Sequence, residues 1–248
     1  MPSVHAETHV ARSMTELVYV FGPQLGAHTW KIWSDRYDTF TSLWGEVHAH
    51  TAAGVKFFQG PGAITTLDAM TIGRQPVPFH GEPPMTESQH RMEVFLYAVL
   101  ASPMVLSFDL SAVPPILFNT EILAIQEDPD AVSASLVNGY PANPLGTNIY
   151  IRPLSDGTFA VALINIANVS QTMTLELKPA SGKGPFTGGP DPGCYQAAVR
   201  DVYARKDLGL YKRSFSTSVG AMDGRLLRLE FCPNPPDTTW LADAVTVQ

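Results

Sequence analysis

The hydrophobic period of this 248-residue chain changes once, near residue 145, and that change constrains the fold more than any other feature. Before it, short apolar segments alternate with stretches whose apolar residues recur at steps of three and four, the pattern of successive strand–helix units. After it, Ile149/Ile151, Phe159/Val161/Leu163, Met173/Leu175/Leu177 and Leu227/Leu229/Phe231 alternate with other residues, the period of antiparallel strands. The pattern predicts a tail over 1–15, an α/β region over about 16–135 and an antiparallel β region over 145–248. The Pro- and Gly-punctuated stretch 131–146 joins the two.

Within the first region, Tyr37, Phe40, Trp44 and Val47 predict one face of a helix over about 36–53, with Gly54 at its end. Thr86 and Gln89 have capping-box spacing, and Met92, Phe95, Leu96, Val99 and Leu100 follow as one apolar stripe until Pro103 stops the helix. Residues 104–109 read as a short buried strand closing on Asp109, with a third helical stretch from near Pro115. In the second region Asp156 and Gly157 predict a hairpin turn, and 182–193 a loop.

The net charge of -7 and pI near 5.4 argue against a nucleic-acid or anionic-membrane partner, because no basic field gathers phosphates. The chain has no run of about 18 apolar residues, so membrane insertion is not expected, and residues 1–16 carry no apolar stretch of the kind a secretory signal needs. Localisation stays open. Cys194 and Cys232 permit at most one bridge, which the sequence does not decide. Asn168 begins a glycosylation triplet that matters only on a secretory route. His5, His9, His28, His48, His50, His80 and His90 lack metal-ligand spacing, and no Gly-x-Ser-x-Gly elbow is present, so no metal or other cofactor is expected.

Several stretches, in order, resemble the α-galactosidase and α-N-acetylgalactosaminidase family of retaining glycoside hydrolases. Gly60-Pro61-Gly62 followed by Leu67-Asp68-Ala69-Met70-Thr71-Ile72-Gly73 is similar to a worn GPGGWNDPDMLEIG segment, of which only the second Asp survives, as Asp68. Ala98 to Pro103 with Phe108-Asp109-Leu110 is similar to a helix ending in Ser-Pro or Ala-Pro before Asn-Asp-Leu. The run from Ile122 to Pro129 resembles VIAINQDP, that from Arg152 to Gly157 resembles RPLxDG, and that from Asp201 to Gly209 resembles DLWxRKDLG. The resemblance implies a (β/α)8, or TIM-type, barrel followed by an antiparallel β-sandwich-like domain, with about three or four of the eight βα units in this chain.

In the family the acid/base Asp lies in a Trp-Arg-x-x-x-Asp segment, and the run from Trp30 to Asp35 is similar to it, which makes Asp35 the implied acid/base. Trp30, Lys31 and Asp68 are the implied substrate-side residues; Lys31 replaces the sugar-binding arginine, a planar fork becoming a point charge. Without the resemblance, Asp35 reads as an acid in front of a helix, and Trp30 and Trp33 as packing. Asp109 and Asp68 read as hydrogen-bond partners that orient neighbours.

The family's nucleophile belongs to a Lys-x-Asp segment on an earlier strand, and its Cys-Glu-Trp segment reads Tyr19-Val20-Phe21 here. The implied function is hydrolysis of terminal α-galactosides by double displacement, in a truncated or split form without the nucleophile half; galactose and N-acetylgalactosamine are not distinguished. The alternative is an inactive relative acting as a structural or interaction subunit, while a carbohydrate-binding module rests on the β region alone. The isolated chain is expected to be inactive. An open part-barrel would need a second copy or a partner chain over its apolar interior. Family members are often secreted or lysosomal.

Overall fold

The structure is a computed structural model that describes residues 27–74, 78–108, 113–137, 146–177 and 196–231. Tyr19-Val20-Phe21, Asp109, Cys194, Cys232 and the stretch 182–193 lie outside the described residues.

The first region runs β1 (Thr29–Lys31), α1 (Phe40–Ala52), β2 (Ile64–Thr66), β3 (Ala69–Met70), α2 (Glu87–Val99), β4 (Val105–Leu106), a 3-10 turn (Pro115–Phe118), α3 (Thr120–Gln126) and β5 (Ser135–Leu136). β1 pairs in parallel with β2, Trp30 opposite Thr65, and β3 pairs in parallel with β4, Ala69 opposite Val105. Parallel neighbours require crossovers, and α1 and α2 supply them.

Helix α1 starts later than its apolar spacing predicts. Thr39 takes the N-cap, its hydroxyl accepting from the amide of Ser42, which leaves Tyr37 in the loop rather than on the helical face. Gly54 stands just past the helix at φ +63°, a left-handed conformation that glycine adopts without strain. The capping box at Thr86 and Gln89 is formed in both directions. A further difference is β4, read from sequence as buried: Val105 and Leu106 are 49% and 38% exposed.

The second region runs β6 (Thr147–Pro153), β7 (Phe159–Asn165), β8 (Gln171–Glu176), β9 (Gln196–Asp201), β10 (Lys206–Lys212), β11 (Ser214–Val219) and β12 (Asp223–Phe231). A six-stranded antiparallel sheet has the order β10-β9-β12-β7-β6-β5, and β11 pairs with β8 in a second sheet. The β6–β7 hairpin turns at Asp156 and Gly157, with Gly157 at φ +83°.

The larger sheet is covered on both faces. Val161, Leu163, Leu227 and Leu229 pack with Met173, Leu175, Phe215 and Val219 of the small sheet, forming the inside of a sandwich. The alternate residues Ala160, Ala162, Ile164 and Leu226 share a core with Phe95, Leu96 and Val99 of α2. Helix α2 therefore lies between two layers, which is why every residue from Met92 to Val99 is buried. Gly224 makes room for it: a Cβ there would stand 3.3 Å from the Phe95 ring. One core thus spans the join that the change of period marks.

The segments carrying the family resemblance tie the regions together. Asp128 accepts from the Ser155 amide at 2.8 Å and its hydroxyl at 2.7 Å. Arg152, fully buried, donates to the Ala98 carbonyl at 2.6 Å, tying β6 to the last turn of α2. Arg91 grips Asp223, and Arg200 grips Glu121, each through two nitrogens.

Candidate functional site

Because β1 and β2 are parallel, the loops that follow them leave at the same end, and these loops carry Asp35 and Asp68. Lys31, the last residue of β1, joins the two: its ammonium donates to Asp35 at 2.6 Å and to Asp68 at 2.7 Å. Partial burial works against the Lys31 charge, but its hydrogen bonds to the two carboxylates outweigh it and hold the ammonium above its ordinary pKa.

The two carboxylates differ in how they are held. Asp35 is a surface group, its side chain 80% exposed. Asp68 is 30% exposed and sits at φ +69°, a left-handed conformation that costs most L-residues energy and that Asp tolerates better than most. Its backbone is pinned by donation to the Thr66 hydroxyl and by the Tyr97 hydroxyl, which donates to the carbonyls of Leu67 and Asp68. Its carboxylate accepts from Lys31 and from the amides of Arg36 and Ala69. Burial would raise the Asp68 pKa, yet these donors outweigh it and leave the carboxyl below its ordinary value. Asp68 is thus a fixed anion, whereas the exposed Asp35 carboxyl meets Lys31 alone among the side-chain donors described.

Residues 33–35 are exposed, and from Asp35 to Asp38 the loop alternates. Trp33 and Tyr37 point outward, 52% and 37% exposed, while Arg36 and Asp38 are buried. Trp33 lies on α1, where a Cβ added to Gly45 would come within 3.0 Å of its indole nitrogen. Tyr37 stacks on Phe79 with ring centroids 3.5 Å apart and an interplanar angle of 10°. Trp30, by contrast, is only 7% exposed: strand alternation turns it away from Lys31 into a cluster with Ile32, Ala49 and Val55. The geometry thus gives Trp30 a packing role and leaves Trp33 as the exposed indole of this loop, lying on α1.

Behind the surface pair is a buried network built on Glu93. Its carboxylate takes Arg36 at 2.6 Å, the amides of Thr71 and Ile72, and the Thr71 hydroxyl. His90 stands between it and Asp38, at 3.4 and 3.3 Å. Burial opposes the Glu93 charge, but His90, Arg36 and the Thr71 amide hold its pKa at about 2. The sequence offered one sign of this: a carboxylate inside the apolar stretch of α2, where an unpaired charge is untenable.

Glu46 on α1 is the opposite case. It is fully buried and neither carboxylate oxygen has a hydrogen-bond partner. Burial pushes its pKa up to about 7, with Lys31 and Arg36 opposing and Asp68 and Asp35 adding to the rise. No group of three metal-ligating side chains occurs among the described residues, and no described helix is long and apolar enough to cross a membrane.

Comparison with known proteins agrees with this architecture. Residues 146–229 match the α-galactosidase C-terminal β-sandwich domain. The chain is 26% identical over 208 residues to a probable α-galactosidase of Dictyostelium discoideum, covering 80% of this chain and 47% of that protein. It is 28% identical over 158 residues to α-galactosidase A of Cellvibrio japonicus, covering 57% and 35% respectively. The chain thus spans about half the length or less of these relatives. Among solved structures, the Saccharomyces cerevisiae α-galactosidase shares the fold at a TM-score of 0.68 and 16% identity, over 87% of this chain and 62% of that one. The Mortierella vinacea α-galactosidase I does so at 0.65 and 19%, over 82% and 53%. The sandwich domain over residues 146–229, the named relatives and the shared fold thus agree that this chain is similar to the α-galactosidases.

Proposed function

We propose that residues 27–137 are an arc of a (β/α)8 barrel, carrying the acid/base side of a site for hydrolysis of terminal α-galactosides with retention of configuration. The observation that carries this reading is the meeting of Asp35 and Asp68 at Lys31, beyond the same end of two parallel strands. Active sites of such barrels lie at the C-terminal end of the strands. Asp35 is the exposed carboxyl, placed to protonate a leaving-group oxygen as general acid once Lys31 releases it, while Asp68 and Lys31 bind hydroxyls on the sugar side.

Retaining chemistry needs a second carboxylate on the opposite face of the sugar, to form the covalent intermediate that water then releases. Asp68 is held by three donors and is a poor candidate. The nucleophile belongs in this reading to a strand outside the described residues, and a second copy or partner chain covers the open side of this arc. The exposed Phe57, Val105, Leu106 and Phe118 support such a covering chain.

A second reading, an inactive relative serving as an interaction subunit, is favoured by one observation: Lys31 engages both carboxylates at once, filling the place where a sugar hydroxyl would bind. Turnover of a chromogenic α-galactoside by the purified chain and by Asp35→Asn separates the readings. No turnover above background is expected from the chain alone. Robust wild-type activity that disappears in Asp35→Asn would place a nucleophile within this chain and overturn both the truncated and the inactive readings.

A further inference from the structure

The structure assigns a second binding site, apart from the Asp35–Lys31–Asp68 cluster, to the cavity between the C-terminal end of α1 and β5. It takes a small carboxylate with an apolar body, held by Lys56 and Ser135, and the bound ligand clamps the α/β region to the edge of the larger sheet.

Helix α1 carries the chain from the Asp35 loop back to the start of β2, so its last turn lies at the end of the parallel strands opposite Asp35 and Asp68. There a cavity of about 250 Å³ opens between that turn, a 3-10 turn (Val55–Phe57) and β5, the edge strand of the six-stranded sheet. Its polar lining is one-sided. The Lys56 ammonium donates to the Ser135 hydroxyl at 3.1 Å and lies 4.9 Å from the Phe57 ring centroid. Lys56 forms no ion pair among the described residues, and no carboxylate lines the cavity. An ammonium has three hydrogens, and a serine that accepts from it keeps its own O–H to donate, so both groups are left facing a further acceptor. His50 on the inner wall is 2% exposed, and burial holds it neutral, with a pKa of about 3, so Lys56 is the only charge.

One cation and one hydroxyl donor at this spacing suit the two oxygens of a carboxylate, each oxygen taking one charge-assisted or neutral hydrogen bond. A dianion would bring a second charge that nothing here offsets. The remaining walls, Val55, Phe57, Ala134 and Leu136, are apolar. At roughly 30 Å³ for each water displaced, the space suits a body of benzoate size. Lys56 and Ser135 stand 79 residues apart, one in the α/β region and one on the sheet edge, so a ligand that takes both donors ties the two regions together.

The test titrates the full chain with benzoate and with its uncharged isostere benzamide, read by ligand-observed NMR. Benzoate should bind about tenfold more tightly, and Lys56→Met, which keeps the apolar stem, should reduce it to the benzamide level. Ala52→Leu, on the exposed lip of the cavity, should weaken both probes by filling the space they enter. Benzoate should also raise the urea midpoint of the wild type and leave that of Lys56→Met unmoved. No benzoate binding by the wild type, equal affinity for the two probes, or wild-type benzoate binding by Lys56→Met would each overturn the site. Binding untouched by Ala52→Leu would place the probe elsewhere and overturn it too. No galactoside enters the assay, so its outcome is independent of the proposed hydrolysis.

Discussion

Arg36 and Glu93 form an ion pair at 2.6 Å with both side chains fully buried, fixing the loop that presents Asp35 to the middle of α2. A buried pair adds little over a well-packed apolar one, but removing a single partner leaves an uncompensated charge. Arg36→Met should therefore destabilise the chain by about 3–5 kcal/mol in urea unfolding, with Glu93→Met similar. The double variant should recover most of that loss. Additive single effects would mean that the two charges are not coupled.

Glu46 gives a pH dependence of opposite sign to that of a paired carboxylate. Its folded pKa of about 7 lies above the ordinary 4.5, so the folded state keeps a proton that the unfolded chain releases. Its contribution is present below about pH 4.5 and is lost as pH rises through 7. His50, buried and depressed to about 3 by that burial, works the other way, losing stability as pH falls from 6.5. Glu93 does the same as pH falls from 4.5 towards 2. Glu46→Gln removes only the first of these. Its stability relative to wild type should rise between pH 4.5 and 7 by about 3 kcal/mol, read from denaturation midpoints across that range. A pH-independent difference would show that Glu46 does not titrate there. Burial sets most of its value, and the charged groups that modulate it are Lys31, Arg36, Asp68 and Asp35.

Lys31 is the shared counter-ion of Asp35 and Asp68, so Lys31→Met removes the charged donor to Asp68 and leaves the amides of Arg36 and Ala69. The Asp68 carboxyl should titrate at higher pH in the variant than in the wild type, measured from its carboxyl carbon resonance. An unchanged titration would show that the two backbone amides suffice. The same variant should weaken any galactose-ring binding, since Lys31 holds the sugar-side position in the proposed site.

The sequence was most legible where a local signal and the final packing agree. Thr86 and Gln89 close the capping box their spacing predicts, and the apolar stripe of α2 is buried as a unit. The strands after residue 145 follow their period of two, with one omission: β7 alternates small and large apolar residues on both faces, and that marks a sheet covered twice. The boundary near 145 was visible as a change of period, while the core crosses it through α2. At the candidate site, Asp35, Lys31 and Asp68 were found through the family pattern, and the structure brings them together. Trp30 was not legible: in a three-residue strand, sequence alone does not decide which alternate set faces the helix layer. Tyr37 fitted a helical stripe that the Thr39 cap cuts short. The Arg36–Glu93–His90 network joins the loop after β1 to α2, two segments distant in sequence, so its only local sign is the carboxylate inside the apolar stretch of α2.

Phe95 tests whether the two regions are one folding unit. Its ring is fully buried in the core that α2 shares with Ala160, Ala162, Ile164 and Leu226 of the larger sheet, and it contacts Tyr203 edge-on at 5.8 Å. Truncating a buried phenylalanine removes its transfer free energy and leaves a cavity, together worth about 3–5 kcal/mol. The close approach at Gly224 limits relaxation, because the backbone there is held in the β12 ladder with β7. Phe95→Ala should therefore fall at the upper part of that range. If the core is continuous, the parallel region and the sandwich should unfold together, with near-ultraviolet signals from Trp44 beside the first region and from Tyr211 in the sandwich moving at one denaturant midpoint, before and after the substitution. Two separated midpoints in the wild type, with Phe95→Ala shifting only the first, would show instead that α2 belongs to the α/β region alone and that the sandwich is stable without it.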